Sequence, residues 1–459
     1  MEASLRNLPT RYTNVAEQIR KRHGACRADK VAEYLIAGDP PADDVLALFS
    51  KRRQEDAQRH RVDAQRARAD AQMLQQALDQ GSAAVPQAPP EVRELIDRLE
   101  HQPKWLDWKL LELGARTHLR CGAACGLVLG CCSLPLAYRS AAGNKPLAYT
   151  GKLIDKRASQ RLMETGRFFI ETCASGGLQP HAPGWKRTVK VRMMHAQMRR
   201  NLRTKKWQQD DWGAPINQLD LAGTGLLFSA CLLHHLRQIG FHFSAAESEG
   251  VMHLWRYSSH LLGVEPDLLC ASESEGRELL DLILDMNSHA DGHSRDLTST
   301  LMEYAMPKMV STVLPWLAGA SPEEARMWPW PARFGNALAQ VLGVTGRGHG
   351  AREKLAVFCY GLSHGLLGDR ARGLPNPQTV WRYRAPRLLR SLITPLEVCR
   401  RLVPGGTGLA SSIGARQFQR IMPTDSAGPA SSALPTGGAS VGAAAENRAE
   451  ATAHARGTC

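Results

Sequence analysis

The sequence predicts an all-α protein, and three observations carry that prediction. Apolar residues recur at three- and four-residue spacing along most of the chain, the period of helices that bury one face. The runs are separated by Pro/Gly breaks such as GSAAVPQAPP (81–90), which punctuate helices. From Glu91 to Arg401 no stretch alternates apolar and polar residues for long enough to build a sheet. With 459 residues and 43% hydrophobic composition, the chain can bury a large core. The expected organisation is residues 1–90 as N-terminal helices and a polar helical linker, 91–401 as the main helical domain, and 402–459 as a disordered tail rich in Gly, Ala and Ser.

Taken in order, GDPPADD (38–44) reads as a turn with Asp caps ahead of the apolar run Val45 to Phe49. Residues 51–80 mix charges with Ala and Gln and lack an apolar stripe, so they read as a solvated helix. Trp105 and Trp108 read as core. Cys121 to Tyr138 is an uncharged run of eighteen residues, barely long enough to span a membrane. Pro135 would end it early, so a buried core helix is expected. Gln160 to Thr172 is a strong helix, with Arg161, Glu164 and Thr165 three and four apart and so on neighbouring lines of one face. Pro215 and Asn217 open a long apolar helix that Gly240 stops. His234 and His235 are adjacent and make a poor metal pair. His253 and His260, two turns apart around Arg256, lie about 10 Å from each other by helix rise and read as structural.

The central stretch is Gly176 to Arg200. Its Gly/Pro loop leads into a helix on which Arg192, His195 and Arg199 share one face. A histidine in such a place is either a satisfied core residue or an axial ligand of the kind that holds haem iron. The arginines suit a carboxylate partner, a haem propionate included. The net charge is +14, and Lys186 to Lys206 holds nine Lys or Arg and no Asp or Glu. That bias suits nucleic acid, an acidic lipid surface or an anionic cofactor, although no zinc-finger, RNP or G-x-x-G signature accompanies it. The eleven cysteines form no paired zinc motif. The N-terminus has no basic-then-apolar signal. A cytoplasmic protein with reduced thiols is expected.

GDPPADD, Trp105–Asp107, KPLAYTGKL, RLMETGRFF, GGLQPHAPG, VRMMHAQMR, WGAPINQ and HLWRYSSHLLGV, in that order, resemble the latex clearing protein and MpaB-type oxygenase family. The resemblance runs from about Ala37 to about Pro377. It implies a globin-like multi-helix domain that binds haem b. It also implies dioxygen-dependent cleavage of carbon–carbon double bonds in isoprenoid chains: polyisoprene for the rubber-degrading members, a farnesyl side chain for the fungal ones. The His of VR-x-x-HA, which is the family's proximal iron ligand, falls on His195, with Arg192 as its neighbour. The distal R-x-x-x-T pair falls on Arg161 and Thr165.

Two departures qualify the match. Rubber-degrading members are secreted, and where the studied rubber oxygenase carries a distal Lys this chain has Glu164. A carboxylate there can serve as base or acid toward the double bond or bound dioxygen, so Glu164, Arg161 and Thr165 are the expected catalytic set. His195 and Arg192 are the expected cofactor residues, His195 is the iron ligand, and His181 is its fallback. The expected partners are an apolar, isoprenoid-type substrate and dioxygen, with no specific nucleic acid and with membrane association disfavoured. The competing readings are a haem protein that carries or senses a gas, and a basic helical protein that binds nucleic acid or a membrane surface.

Overall fold

The computed structural model describes residues 8–58, 63–149, 156–203, 207–287, 290–309, 349–375, 381–402 and 411. Among them every regular element is helical, so the protein is all-α as its periodicity predicts. The expected disordered tail lies outside the described residues, Leu402 and Ser411 apart.

Two short helices, α1 (Ala16–His23) and α2 (Ala25–Ala32), are followed by α3 (Pro40–Gln58) and α4 (Asp63–Gln80). The polar run 51–80 is therefore not one solvated helix. It is divided between α3 and α4, which are pinned together by Arg66–Asp56 at 2.5 Å and Arg52–Asp70 at 3.0 Å. Its C-terminal end also has an apolar side, where Leu74, Ala77 and Leu78 are buried. The GSAAVPQAPP segment packs too, through Val85 and Ala88. α5 (Pro90–Glu100) starts on a proline and buries Val92, Leu95, Ile96 and Leu99 along one stripe. One hydrophobic cluster then runs from Leu8 to Ile393, so the helices before residue 90 share the core of those after it.

α6 (Trp108–Cys121) begins on Asp107, whose side chain accepts from the amides of Lys109 and Leu110. It ends at Gly122, which takes a positive φ of 54°, and the chain bends by 83° into α7 (Ala123–Tyr138). α7 passes through a π-helical turn at Leu129–Ser133 and buries Cys125, Val128, Cys131, Cys132 and Leu136. The uncharged run is thus largely buried in the core, although Pro135 does not end the helix, which continues to Tyr138. α8 (Ala141–Tyr149), α9 (Lys156–Thr172) and α10 (Pro183–Arg203) follow. α11 (Gln218–Phe228) and α12 (Ala230–Gln238) form the stretch Gln218–Gln238, apolar enough to cross a membrane, with 72% of its most apolar window inside the protein.

α13 (Ala245–Leu261) opens on a capping box between Ser244 and Glu247. α14 (Glu273–Met286) and α15 (Gly292–Thr300) come next, and α15 runs into a second π turn at Leu301–Ala305. α16 (His349–Leu367) pairs with α17 (Trp381–Leu402).

α6 and α13 cross backbone to backbone. A Cβ on Gly114 would lie 2.0 Å from the Gly250 carbonyl oxygen, and one on Gly250 would lie 2.8 Å from the Gly114 nitrogen. Neither backbone can yield without parting the helices. Gly114→Ala should therefore destabilise the fold by about 2–3 kcal/mol, the scale of core overpacking. An unchanged denaturant midpoint would show that the crossing is looser than this.

Candidate functional site

The site is built on α10. Its N-terminus is anchored by Trp185, which is fully buried and donates its backbone N–H to the Gly177 carbonyl at 2.8 Å. Further along, Arg192 makes a two-pronged pair with Asp39, Nε to Oδ2 at 2.8 Å and a terminal nitrogen to Oδ1 at 2.7 Å. Arg199 reaches Asp43 at 2.8 Å and Asp39 at 3.6 Å. Asp39 precedes α3 and Asp43 lies in its first turn, where negative charge is favoured by the helix dipole. The GDPPADD motif is thus more than a cap. It supplies the carboxylates that hold α10. Arg192 is engaged with Asp39 and acts on the site by positioning the helix.

His195 lies between these two arginines on the same face of α10. Its Nδ1 is enclosed and has no hydrogen-bond partner, while the residue as a whole keeps partial accessibility. Burial pushes the imidazole down to about 3, helped by the charges of Arg199 and Arg161 and opposed by Asp39. The ring is neutral at ordinary pH, the state in which an imidazole binds a metal.

Arg161 and Thr165 stand on α9, which packs against α10. With Leu162 of α9, Leu134 and Tyr138 of α7, and Leu297, Thr300, Leu301 and Ala305 of α15 and its π turn, they line a cavity. About 30 Å³ of it is open to a water-sized molecule. Arg161 forms no ion pair or hydrogen bond among the described residues, and burial pushes its guanidinium down against the charges of Tyr138 and Glu164. Arg161 and Thr165 come together as the sequence suggests. Glu164 does not join them: it is exposed and accepts from Gln160 at 3.1 Å.

Beyond Thr165, the same side of α9 carries Phe168 and Phe169 against Trp255 and Phe228, with ring centroids 4.7–6.2 Å apart. Trp255 donates its indole N–H to Nδ1 of His118 at 3.2 Å. Nothing in the spacing of the sequence announces this wall, which is assembled from three helices, α9, α11 and α13.

His181 and His253 are occupied structurally: His181 contacts the Leu78 carbonyl at 2.9 Å and Glu100 at 3.2 Å, and His253 accepts from the Asp107 amide at 2.9 Å. Trp105 and Trp108 are only partly buried, and Trp105 lies under the Arg256 guanidinium at 4.1 Å. Five cations of the basic run are paired among the described residues: Lys186 meets Asp79, Arg187 meets Glu171, Arg192 and Arg199 meet Asp39 and Asp43, and Arg203 approaches Asp43.

Among the described residues no three His, Cys, Asp or Glu gather into a metal cage. A haem needs only one protein donor, and His195, a neutral imidazole whose Nδ1 has no partner among the described residues, fits that need in its chemistry. The open space, about 30 Å³, has the size of a dioxygen or water molecule.

The chain matches the family described as "ER-bound oxygenase mpaB/B'/Rubber oxygenase, catalytic domain" over residues 121–396. It is 26% identical to a rubber oxygenase from Streptomyces sp. (strain K30) over 203 residues, 43% of this chain and 49% of that protein, so the match spans about half the length of that relative. Among solved structures, latex clearing protein LCP in the closed state aligns with a TM-score of 0.49 at 19% identity, covering 78% of this chain and 91% of the other.

Two outcomes follow from this geometry. Asp39→Asn leaves two buried guanidiniums short of a counter-charge and should cost about 3–5 kcal/mol; a loss under 1 kcal/mol in chemical denaturation would show that α10 is held otherwise. The second concerns pH. Because the folded pKa of His195 is depressed to about 3 from about 6.5 in the unfolded chain, the unfolded state binds more protons between those values. Stability therefore falls as pH drops through that window, by up to about 1.4 kcal/mol per unit for this one group. His195→Gln in haem-free protein should flatten the slope measured at pH 4, 5 and 6. An identical slope would place His195 in a solvated setting.

Proposed function

We propose, from the premise that the chain belongs to the ER-bound oxygenase mpaB/B'/rubber oxygenase catalytic-domain family, that it is a haem b-dependent oxygenase. It uses dioxygen to cleave or oxidise carbon–carbon double bonds of an apolar, isoprenoid-type substrate. The rubber oxygenase relative supports a hydrocarbon of that class. The observation that carries the reading is His195, whose neutral, unpartnered imidazole stands on a braced helix next to the helix bearing Arg161 and Thr165.

His195 would hold the iron and Arg161 and Thr165 would face the reacting molecules; the haem, when bound, supplies the oxygen activation. The residues themselves do the rest. Arg161, a cation with no direct ion pair among the described residues, stabilises negative charge that develops on a molecule in the cavity. Thr165 offers a hydroxyl on the next turn of the same helix. Leu134, Leu162, Leu297, Leu301 and Ala305 keep water out and present an apolar wall to a double bond. Asp39, through Arg192 and Arg199, keeps His195 in register with that wall.

One observation favours a second reading. The cavity's open core of about 30 Å³ suits a diatomic gas better than an isoprenoid, as a gas carrier or sensor would require. Oxygen uptake on adding an isoprenoid separates the two, because a carrier consumes none.

His195→Ala should stay folded and lose the Soret band of the purified protein; full haem occupancy in that variant would refute the assignment. Arg161→Met should retain haem and lose turnover on the order of a hundredfold, the scale for removing one charge-stabilising donor. Glu164→Gln, exposed as it is, should change turnover by less than about twofold, not by the large factor that a catalytic carboxylate implies. Equal losses at Arg161 and Glu164 would bring Glu164 into the site.

A further inference from the structure

Besides Arg161, Thr165 and Thr300, the cavity is lined by a fourth polar side chain that no motif marks. Tyr138 ends α7, just past the π turn and Pro135. It is buried, at 7% exposure, and lines the cavity together with Arg161 and Thr165. Its backbone carbonyl accepts from the Asn144 side chain, but its hydroxyl makes no hydrogen bond among the described residues.

Other buried tyrosines differ. Tyr12 donates to Asp29 at 2.6 Å and Tyr360 to Glu303 at 2.9 Å, while Tyr257 has an enclosed hydroxyl with no partner. A buried phenol normally finds a partner, because leaving it unpaired costs about 1–3 kcal/mol. Tyr138 borders open space, so its partner is whatever enters that space. Burial pushes the phenol up, against the charge of Arg161, so at neutral pH the group is an O–H donor.

We propose that Tyr138 is a further hydrogen-bond donor of the cavity, giving its O–H to the oxygen-bearing molecule that occupies it beside Arg161. This rests on the haem oxygenase reading, and it adds a residue to the distal side that touches the reacting molecule. With Arg161 fixing charge and Tyr138 holding a proton at its hydroxyl oxygen, a polar diatomic is oriented from two helices, α9 and α7.

The test uses the full-length, haem-loaded protein with carbon monoxide as the probe. A nearby O–H donor lowers the C–O stretching frequency, so Tyr138→Phe should raise it. The same variant should release dioxygen about tenfold faster, the upper end for one net hydrogen bond. The substitution removes only an unpaired oxygen, so folding and haem loading should persist. Tyr360→Phe, whose hydroxyl is satisfied by Glu303 outside the cavity, is the control and should leave the stretch where it was. A Tyr138→Phe protein with an intact Soret band and an unshifted stretch overturns the proposal alone. A wild-type preparation with no Soret band overturns it together with the reading beneath it.

Discussion

Asp39 is the constraint on which the rest of the site depends. It is 1% exposed, sits at the start of α3, and meets two arginines of α10. Its charge is tolerable in the interior only because Arg192 engages both of its oxygens, and the arginines are tolerable only because Asp39 and Asp43 are there. His195 lies between those arginines on the same helix face. Fixing them fixes the direction in which the imidazole points. Burial, helped by the charges of Arg199 and Arg161 and opposed by that of Asp39, keeps the ring deprotonated. The ion-pair cluster therefore sets the position of the candidate ligand, and burial above all sets its protonation state.

The all-α fold was legible because helical periodicity and Pro/Gly breaks are local signals. Long-range pairing was not legible. GDPPADD reads as a turn with caps from its own residues, and only the fold brings Asp39 to Arg192, 153 positions away. The polar run 51–80 reads as solvated because its charges show no stripe, yet Arg52, Asp56, Arg66 and Asp70 satisfy one another across the α3–α4 pair.

His195, Arg161 and Thr165 were singled out through the family resemblance, and spacing alone put Arg161 and Thr165 on one helix face. Glu164 was placed with them because three- and four-residue spacing allows it. The inward face of α9 is instead centred on Arg161, Leu162, Thr165 and Phe169, which leaves Glu164 roughly 100° round the helix. Tyr138 was missed because it closes an apolar run and has no motif of its own. The aromatic wall of Phe168, Phe169, Phe228 and Trp255 was missed because it exists only once α9, α11 and α13 have packed.

The site thus packs a braced helix that offers one neutral imidazole against the helix that lines a small cavity with a guanidinium and a hydroxyl. The brace concentrates charge where it is compensated, and the cavity holds Arg161 without a direct ion pair among the described residues. The most direct measurement of the central claim is resonance Raman spectroscopy of the reduced, haem-loaded protein prepared with nitrogen-15 histidine. An iron–imidazole stretching mode that shifts with the label and is absent from His195→Gly protein is the predicted result. A labelled mode that persists without His195, or a haem that shows no histidine coordination at all, would contradict the account.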